Sequence, residues 1–186
     1  MNEEKKDFNA MLHNSKDMPK IKTIDKEEVV SRYGGRKMLL APPIDYDKVI
    51  KRIPHGKLLT IERIRNHLAY QYDADFTCPL TAGVFTGIVA WASHQRTEDI
   101  TPYWRVVKNK GELNPKFPGG IEAQKQKLEA EGHSIVSKGK KEPQILRKGL
   151  RTILVPTINL GHLQAQSLQL PKHLTYIFSQ IKTIRK

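Results

Sequence analysis

The sequence predicts a mostly helical domain that carries a small β element. An amphipathic helix is indicated where Ile61, Ile64 and Leu68 recur at helical spacing. A second, apolar helix is predicted to start near Pro79, since proline is tolerated at the first helical position. A short hairpin is predicted over residues 104–113. Two helices with a short connector are the ingredients of a helix-turn-helix, although the same pattern also fits an apolar helix buried in a bundle.

Composition favours a soluble protein. The 186 residues suffice for one domain with extensions. There is no run of 18 apolar residues that would cross a membrane and no apolar stretch near Met1 typical of a secretory signal. Cys78 is the single cysteine, so no internal disulfide can form, which fits a cytoplasmic protein, associated with the nucleoid if the source is bacterial. The seven histidines show no paired ligand spacing, and we expect neither a metal nor a cofactor.

The net charge of +13 is unevenly distributed. Residues 1–45 carry 9 basic and 8 acidic groups, residues 46–135 carry 13 and 10, and residues 136–186 carry 10 and 1. Such asymmetry indicates a polyanionic partner, and nucleic acid is the usual one because Lys and Arg release the counterions of phosphates. The alternatives are a solvated basic tail or a site for anionic lipid.

Residues 1–44 are interpreted as an N-terminal extension. A helix is predicted near Lys26–Tyr33, ended by Gly34. Pro42 and Pro43 then mark the entry to the main domain, residues 45–137, because consecutive prolines oppose helix. A short helix over residues 45–53 has acidic residues at its start and basic residues at its end, as the helix dipole favours.

The central helix pair gives the first set of predicted faces. Thr60 is predicted as the N-cap of the first helix. On the second helix, a core stripe is predicted at Leu80, Val84, Ile88 and Trp91. The small residues off that stripe are predicted to face outwards, where a DNA backbone approaches closely: Thr81, Thr86, Val89 and Ser93.

The rest of the main domain is predicted from local signals. Gly111 suits a positive φ in the hairpin turn. Residues 121–131 are rich in strong helix formers, Gly132 is a helix stop, and Ser134–Val136 is predicted as a terminal strand. Residues 138–186 are predicted to form a basic C-terminal extension that ends in an amphipathic helix over residues 171–184. Its apolar side is predicted to be core or a face for a protein partner, in preference to a membrane anchor.

Several short segments follow one another in a recognisable order. They are Ile53-Pro54-His55-Gly56 with Thr60, then Pro102-Tyr103-Trp104-Arg105-Val106-Val107, Gly111-Glu112-Leu113, Pro118-Gly119-Gly120 and Glu131-Gly132. Over about residues 45–137 the chain resembles the DNA-binding domain of the alkylguanine-DNA alkyltransferases. The resemblance implies a mostly α fold with a small β wing, a winged helix-turn-helix, whose second helix enters the DNA minor groove. Members of the family flip the alkylated base out and transfer the alkyl group to a cysteine thiolate activated by histidine.

The chain departs from the family at the reacting positions. Tyr103 stands at the acceptor cysteine and Trp104 at the histidine, so the resemblance implies no catalytic residue. Ile61 stands where the family has a tyrosine that helps to turn the nucleotide out. The arginine with which the family fills the gap left by the flipped base corresponds to Thr86 or Gly87 here. The chain is therefore similar in logic to the cysteine-less alkyltransferase-like proteins, which bind alkylated guanine and flag it for excision repair. We expect a non-catalytic DNA-binding protein of DNA repair.

Three residues are assigned to the former pocket. Tyr103 and Trp104 either fill it as core or form a stacking platform for an extruded base. Arg105 is predicted to be structural, bonding backbone carbonyls or an acid such as Glu131, in preference to contacting DNA.

The predicted partner is double-stranded DNA, damaged or intact. The basic residues expected to contact phosphates in the main domain are Arg63, Arg65, Lys108 and Lys110. One alternative is an active alkyl acceptor at Cys78, at the predicted helix start where thiolates are favoured, against its interpretation as a small half-buried residue. Another alternative is an RNA- or protein-binding adaptor on the same scaffold.

Overall fold

The computed structural model describes residues 5–136 and 144–145. All of them fall in one compact unit, Met1–Val155. The described α-helices are α1 Phe8–His13, α2 Glu27–Tyr33, α3 Pro43–Lys51, α4 Ile61–Gln71, α5 Pro79–His94 and α6 Gly120–Ala130. The described strands are β1 Lys20–Thr23, β2 Lys37–Leu40, β3 Leu59–Thr60, β4 Phe76–Thr77, β5 Val106–Val107, β6 Ile135–Val136 and β7 Gln144–Ile145. The predicted helix over residues 171–184 and nearly all of the basic C-terminal extension lie outside the described residues.

The predicted class, mostly α with a small β component, is confirmed. Strands β1, β2 and β4 form one small sheet, in which β1 runs antiparallel and β4 parallel to β2. Strands β3 and β5 pair in parallel, and β6 pairs with β7 in antiparallel fashion. None of the described helices has the length and apolarity needed to cross a membrane.

The predicted helix ends are largely confirmed, because their signals are local. Helix α2 ends at Gly34, which takes the left-handed conformation at φ 81°. The Thr60 hydroxyl accepts a hydrogen bond from the backbone N–H of Arg63 and so caps α4. Pro79 is the first residue of α5, and Gly132 follows α6 with φ 83°.

The predicted hairpin over residues 104–113 is wrong in its pairing. Tyr103–Arg105 form a single 3₁₀ turn, and β5 pairs in parallel with β3 instead of folding back on residues 112–113. The parallel pairing buries both residues of β5, Val106 in the main core and Val107 in a second, smaller one. The turn itself is present: the Lys108 N–H donates to the carbonyl of Glu112 at 2.9 Å.

The first 40 residues contribute to the main core. Phe8 and Leu12 of α1 are buried in the same cluster as the helices of the main domain. The Phe8 ring stacks on Trp91 of α5 at 5.7 Å, and the Phe8 N–H donates to the Gln95 side chain at 3.0 Å. Leu39 of β2 is also fully buried. The predicted boundary between residues 44 and 45 stays a prediction, but this segment supports the site described next.

Candidate nucleic-acid interface

Helices α4 and α5 with their connector form the centre of the candidate interface. The connector is held at both sides: the Thr77 hydroxyl donates to the carbonyl of Arg65 in α4 at 2.8 Å, and the Cys78 N–H donates to the carbonyl of Leu39 at 2.9 Å. Helix α5 therefore starts from a fixed position. Its first residue, Pro79, has no N–H to leave unpaired there.

The inner face of α5 carries three residues that the sequence analysis predicts to face outwards. Thr86, Val89 and Ser93 are each no more than 1% exposed, so their predicted contact with DNA is wrong. The hydroxyls are buried at little cost because they are hydrogen-bonded. Thr86 donates to the Ala82 carbonyl at 2.7 Å and Ser93 donates to the Thr101 carbonyl at 2.9 Å. Thr81 is the exception: it is partly exposed and donates to the carbonyl of the residue that precedes Pro79 at 3.2 Å.

The outer face of α5 consists of Leu80, Gly83, Val84 and Gly87. Leu80 is 77% exposed and Val84 54% exposed, so the predicted core stripe is wrong at both positions, whereas Ile88 is buried as predicted. A Cβ atom added at either glycine would meet no other atom within 4 Å. These positions, at i, i+3, i+4 and i+7, share one side of the helix. The Gly-x-x-x-Gly spacing was a signal that sequence reasoning missed.

The segment that contains α5 carries no acidic side chain. Residues 76–97 contain no Asp or Glu. Among the predicted phosphate contacts, Arg63 and Lys110 are exposed, and Lys108 borders the same cleft as Thr86 of α5. Arg65 is only partly exposed, and its Nε is buried without a hydrogen-bond partner in the described part of the chain. That these four basic residues contact DNA stays a prediction.

Tyr103 fills the position where a reactive residue stands in the family that the motifs resemble. It is 4% exposed and belongs to the main core. Its ring meets Trp104 at 5.4 Å and Phe117 at 5.5 Å, both edge-on, as aromatic pairs prefer. Burial raises the pKa of the Tyr103 hydroxyl above its ordinary 10.0. Of the two interpretations, core filling therefore describes Tyr103, because its ring has no free face for a base.

Glu131 joins three segments around Trp104 and Arg105. The Glu131 carboxylate accepts hydrogen bonds from Trp104 Nε1 at 2.7 Å, from Arg105 Nε at 3.0 Å and from the Gly56 N–H at 2.9 Å. Arg105 also donates to the carbonyl of Ile53 at 2.6 Å. The predicted structural role of Arg105, with a backbone carbonyl and Glu131 as its partners, is confirmed.

Trp104 presents one face of its ring to a cation. It is half-buried, and the Lys127 ammonium lies 4.6 Å from its ring centroid. With its indole N–H bound to Glu131, Trp104 is fixed in place. The Trp104 side chain is therefore held in one orientation, with a face of its ring in contact with Lys127.

The pKa of Glu131 is lowered from 4.5. Desolvation by burial is the largest single influence and raises it, but the hydrogen bonds from Arg105, Trp104 and the Gly56 backbone together outweigh burial. Glu131 is therefore a permanent anion at neutral pH, and Arg105 is its counter-charge.

A cleft of about 20 Å³ lies between the start of α4, α5 and β5. Its walls are Ile61, Thr86, Val106, Val107, Lys108, Asn114 and Phe117. A water molecule needs roughly 10–15 Å³, whereas a cavity of roughly 150 Å³ is known to bind benzene. The cleft has room for one water and not for a purine base.

Cys78 precedes α5 and is half-buried, with no side-chain hydrogen bond to cap the helix. It lies close enough to the buried Tyr46 hydroxyl to influence it: desolvation first, and then Cys78, raise the pKa of Tyr46. The described residues contain no cluster of three or more side chains able to hold a metal ion.

The chain is similar to two solved structures from S. pombe. One is Atl1, an alkyltransferase-like protein, in complex with damaged DNA containing O6-carboxymethylguanine: 23% identity, 56% of this chain and 87% of that chain covered, TM-score 0.42. The other is ATL in complex with DNA: 22% identity, 55% and 85% covered, TM-score 0.42. No protein-family model and no curated protein matches the chain. The roles of its residues rest on the geometry described above.

Proposed function

We propose that this chain is a non-catalytic DNA-binding protein whose helix α5 lies in the minor groove of a duplex. The outer face of α5 is the observation that carries the proposal. Gly83 and Gly87 leave open space where side chains would stand, so the helix backbone can approach sugar and phosphate closely. The absence of Asp and Glu from residues 76–97 removes the groups that a phosphate backbone would repel.

Phosphate contacts from residues outside α5 would fix the position of the helix on the duplex. Arg63 on α4 and Lys110 in the turn after β5 are exposed, and Arg65 and Lys108 are partly exposed. Such contacts give affinity and orientation but carry no direct sequence information. The excess of ten basic over one acidic group in residues 136–186 adds to the electrostatic attraction.

The chemistry of alkyl transfer has no place at Tyr103 and Trp104. A buried phenol with a raised pKa supplies no phenolate, and the indole of Trp104 is already committed to Glu131. The chain therefore binds DNA without transferring a group. A role in DNA repair, as the resemblance implies, would then rest on a preference for damaged duplexes, which deform at lower cost than intact ones.

The test is the salt dependence of duplex binding by the full chain, followed by fluorescence anisotropy. Four phosphate contacts from the main domain predict a slope of about −3.6 in log K against log salt, or a loss of about 150-fold between about 50 mM and about 200 mM salt, and contacts from residues 136–186 would make the slope steeper. Replacing Arg63→Gln should flatten the slope by about 0.9. Arg32→Gln on α2, outside the helix-turn-helix, is the matched control and should leave the slope unchanged.

Two results would contradict the proposal. Affinity for duplex DNA that does not change with salt would remove its electrostatic basis. Equal competition by heparin, double-stranded RNA and duplex DNA would show that the minor groove of DNA is not read, because the A-form minor groove is wide and shallow.

A further inference from the structure

We propose that Leu80 is a wedge, which inserts between two base pairs of the bound duplex and bends it, without extruding a base. The inference rests on the proposed function, because it requires α5 to lie in the groove. Leu80, at 77% exposed, has the highest exposure of the large apolar side chains in the described part of the chain. It is the second residue of α5, and it belongs neither to the two buried clusters of the described residues nor to the side chains packed against them.

A side chain that is to insert between base pairs must be held firmly in place. The start of α5, where Leu80 lies, is fixed by several contacts. The Thr77 hydroxyl donates a hydrogen bond to the backbone carbonyl of Arg65 at 2.8 Å, and the Cys78 N–H donates one to the backbone carbonyl of Leu39. The ring of Pro79 fixes its φ angle. One turn further along the helix, Val84 is the next exposed apolar side chain on the same side. The insertion of Leu80 would therefore bring Val84 to the groove wall.

The absence of space beside Tyr103 favours partial unstacking of two base pairs over extrusion of a base. A flipped base needs a pocket to receive it. Tyr103 is 4% exposed between Trp104 and Phe117, and the cleft beside Phe117 holds about 20 Å³. An apolar side chain at a base step needs no such pocket, since it unstacks the step partially and kinks the duplex by roughly 20–90°.

Charge identifies duplex DNA as the occupant of this face. Residues 76–97, which include all of α5, contain no carboxylate, and Arg63 is exposed on α4, the helix that packs against α5. A polyanion therefore meets no acidic side chain from α5 itself. Lys116 is exposed as well, and its carbonyl accepts a hydrogen bond from Trp91 of α5 at 3.1 Å, which places its backbone beside the helix. The combination of an apolar wedge and surrounding cations is typical of minor-groove proteins that bend DNA.

The experiment measures the bend of a duplex of about 20–30 bp by energy transfer between dyes at its two ends. The full chain should bend the duplex by at least about 20°. Leu80→Ala should leave it nearly straight and bind about tenfold more weakly, with the salt slope unchanged. Leu80→Met, which keeps the apolar bulk, should restore the bend.

Ile100→Ala is the matched control, because Ile100 is 45% exposed and lies outside α5. It should bend DNA as the unaltered chain does. If the unaltered chain binds with the expected salt slope but the duplex stays straight, or if Leu80→Ala bends it equally, the wedge is refuted and the proposed function stands. If the chain binds no duplex at all, both fall.

Discussion

Replacement of Glu131 by glutamine tests whether one carboxylate holds three segments of the chain together. The Glu131 side chain is 6% exposed and that of Arg105 is 13% exposed, with 2.9 Å between Glu131 Oε1 and Arg105 Nη2. The same carboxylate is bound by Trp104 and by the Gly56 N–H. The substitution keeps the shape and removes the charge, so Arg105 loses its counter-charge while remaining mostly buried.

The expected loss of stability follows from that geometry. Removing one partner of a buried ion pair costs about 3–5 kcal/mol, because the other charge stays desolvated. Glutamine retains one acceptor oxygen for Trp104 or Gly56, which places the expected loss near the lower end, about 3 kcal/mol. That is a large part of the 5–15 kcal/mol by which domains are typically stable.

Urea unfolding followed by tryptophan fluorescence measures the difference. Trp91 and Trp104 are the two tryptophans of the chain, and Trp104 touches Glu131. Glu129→Gln is the matched control, since Glu129 is exposed in the last turn of α6, two residues before Glu131, and it should change the free energy of unfolding by less than about 0.5 kcal/mol. A loss below about 1 kcal/mol for Glu131→Gln would refute the reasoning.

The pH dependence provides a second check on Glu131. Its pKa in the folded protein is depressed below 4.5, so its stabilising contribution is present above about pH 4.5 and is lost as the pH falls through the folded pKa. The difference between the unaltered chain and Glu131→Gln should therefore shrink below about pH 4.5. A difference that stays constant from about pH 7 to about pH 3 would contradict the assignment.

Three further predictions concern α4, α5 and the cysteine. Thr60→Ala removes the N-cap of α4 and should lower the free energy of unfolding by about 1 kcal/mol in urea, an expectation that an unchanged midpoint would refute. Gly83→Ala with Gly87→Ala should stabilise α5 by about 0.5–1 kcal/mol per site and weaken duplex binding, since the added methyl groups meet open space in the protein but not in the groove; unchanged affinity by anisotropy would count against close approach. Incubation with a duplex containing O6-methylguanine should leave the intact mass unchanged, and a methyl increment lost in Cys78→Ser would establish Cys78 as an acceptor.

Local signals predicted the helices well. The cap at Thr60, the left-handed Gly34 and the proline at the start of α5 act through their immediate neighbours, so each can be recognised from a few residues. The contacts of Arg105 were also predictable, because a mostly buried guanidinium requires a carboxylate or carbonyl partner.

The faces of α5 could not be predicted from periodicity. Leu80 and Val84 are apolar and exposed, whereas Thr86 and Ser93 are polar and buried. The Thr86 hydroxyl is accommodated in the core by a hydrogen bond to the Ala82 carbonyl one turn earlier in α5, whereas Ser93 needs the Thr101 carbonyl, a partner that lies outside the helix. A functional surface is also a place where apolar residues are exposed although the helical spacing would predict them to be buried.

Pairings distant in sequence were missed for a related reason. Strands β3 and β5 have two residues each and are separated by more than 40 positions, so the hydrophobic pattern around Val106 and Val107 fits a local hairpin equally well. The burial of Phe8 and Leu12 in the main core depends on α1 docking against α5, which no local signal in residues 1–44 indicates.

The central claim is that the outer face of α5 contacts DNA. Its most direct test is the duplex affinity of Val84→Glu, measured by anisotropy beside Ile21→Glu, which places the same charge at an apolar residue 46% exposed on β1. A carboxylate facing the phosphates should weaken binding by at least about tenfold in Val84→Glu and by far less in Ile21→Glu, with both proteins folded. Equal affinities for the two variants would contradict the account.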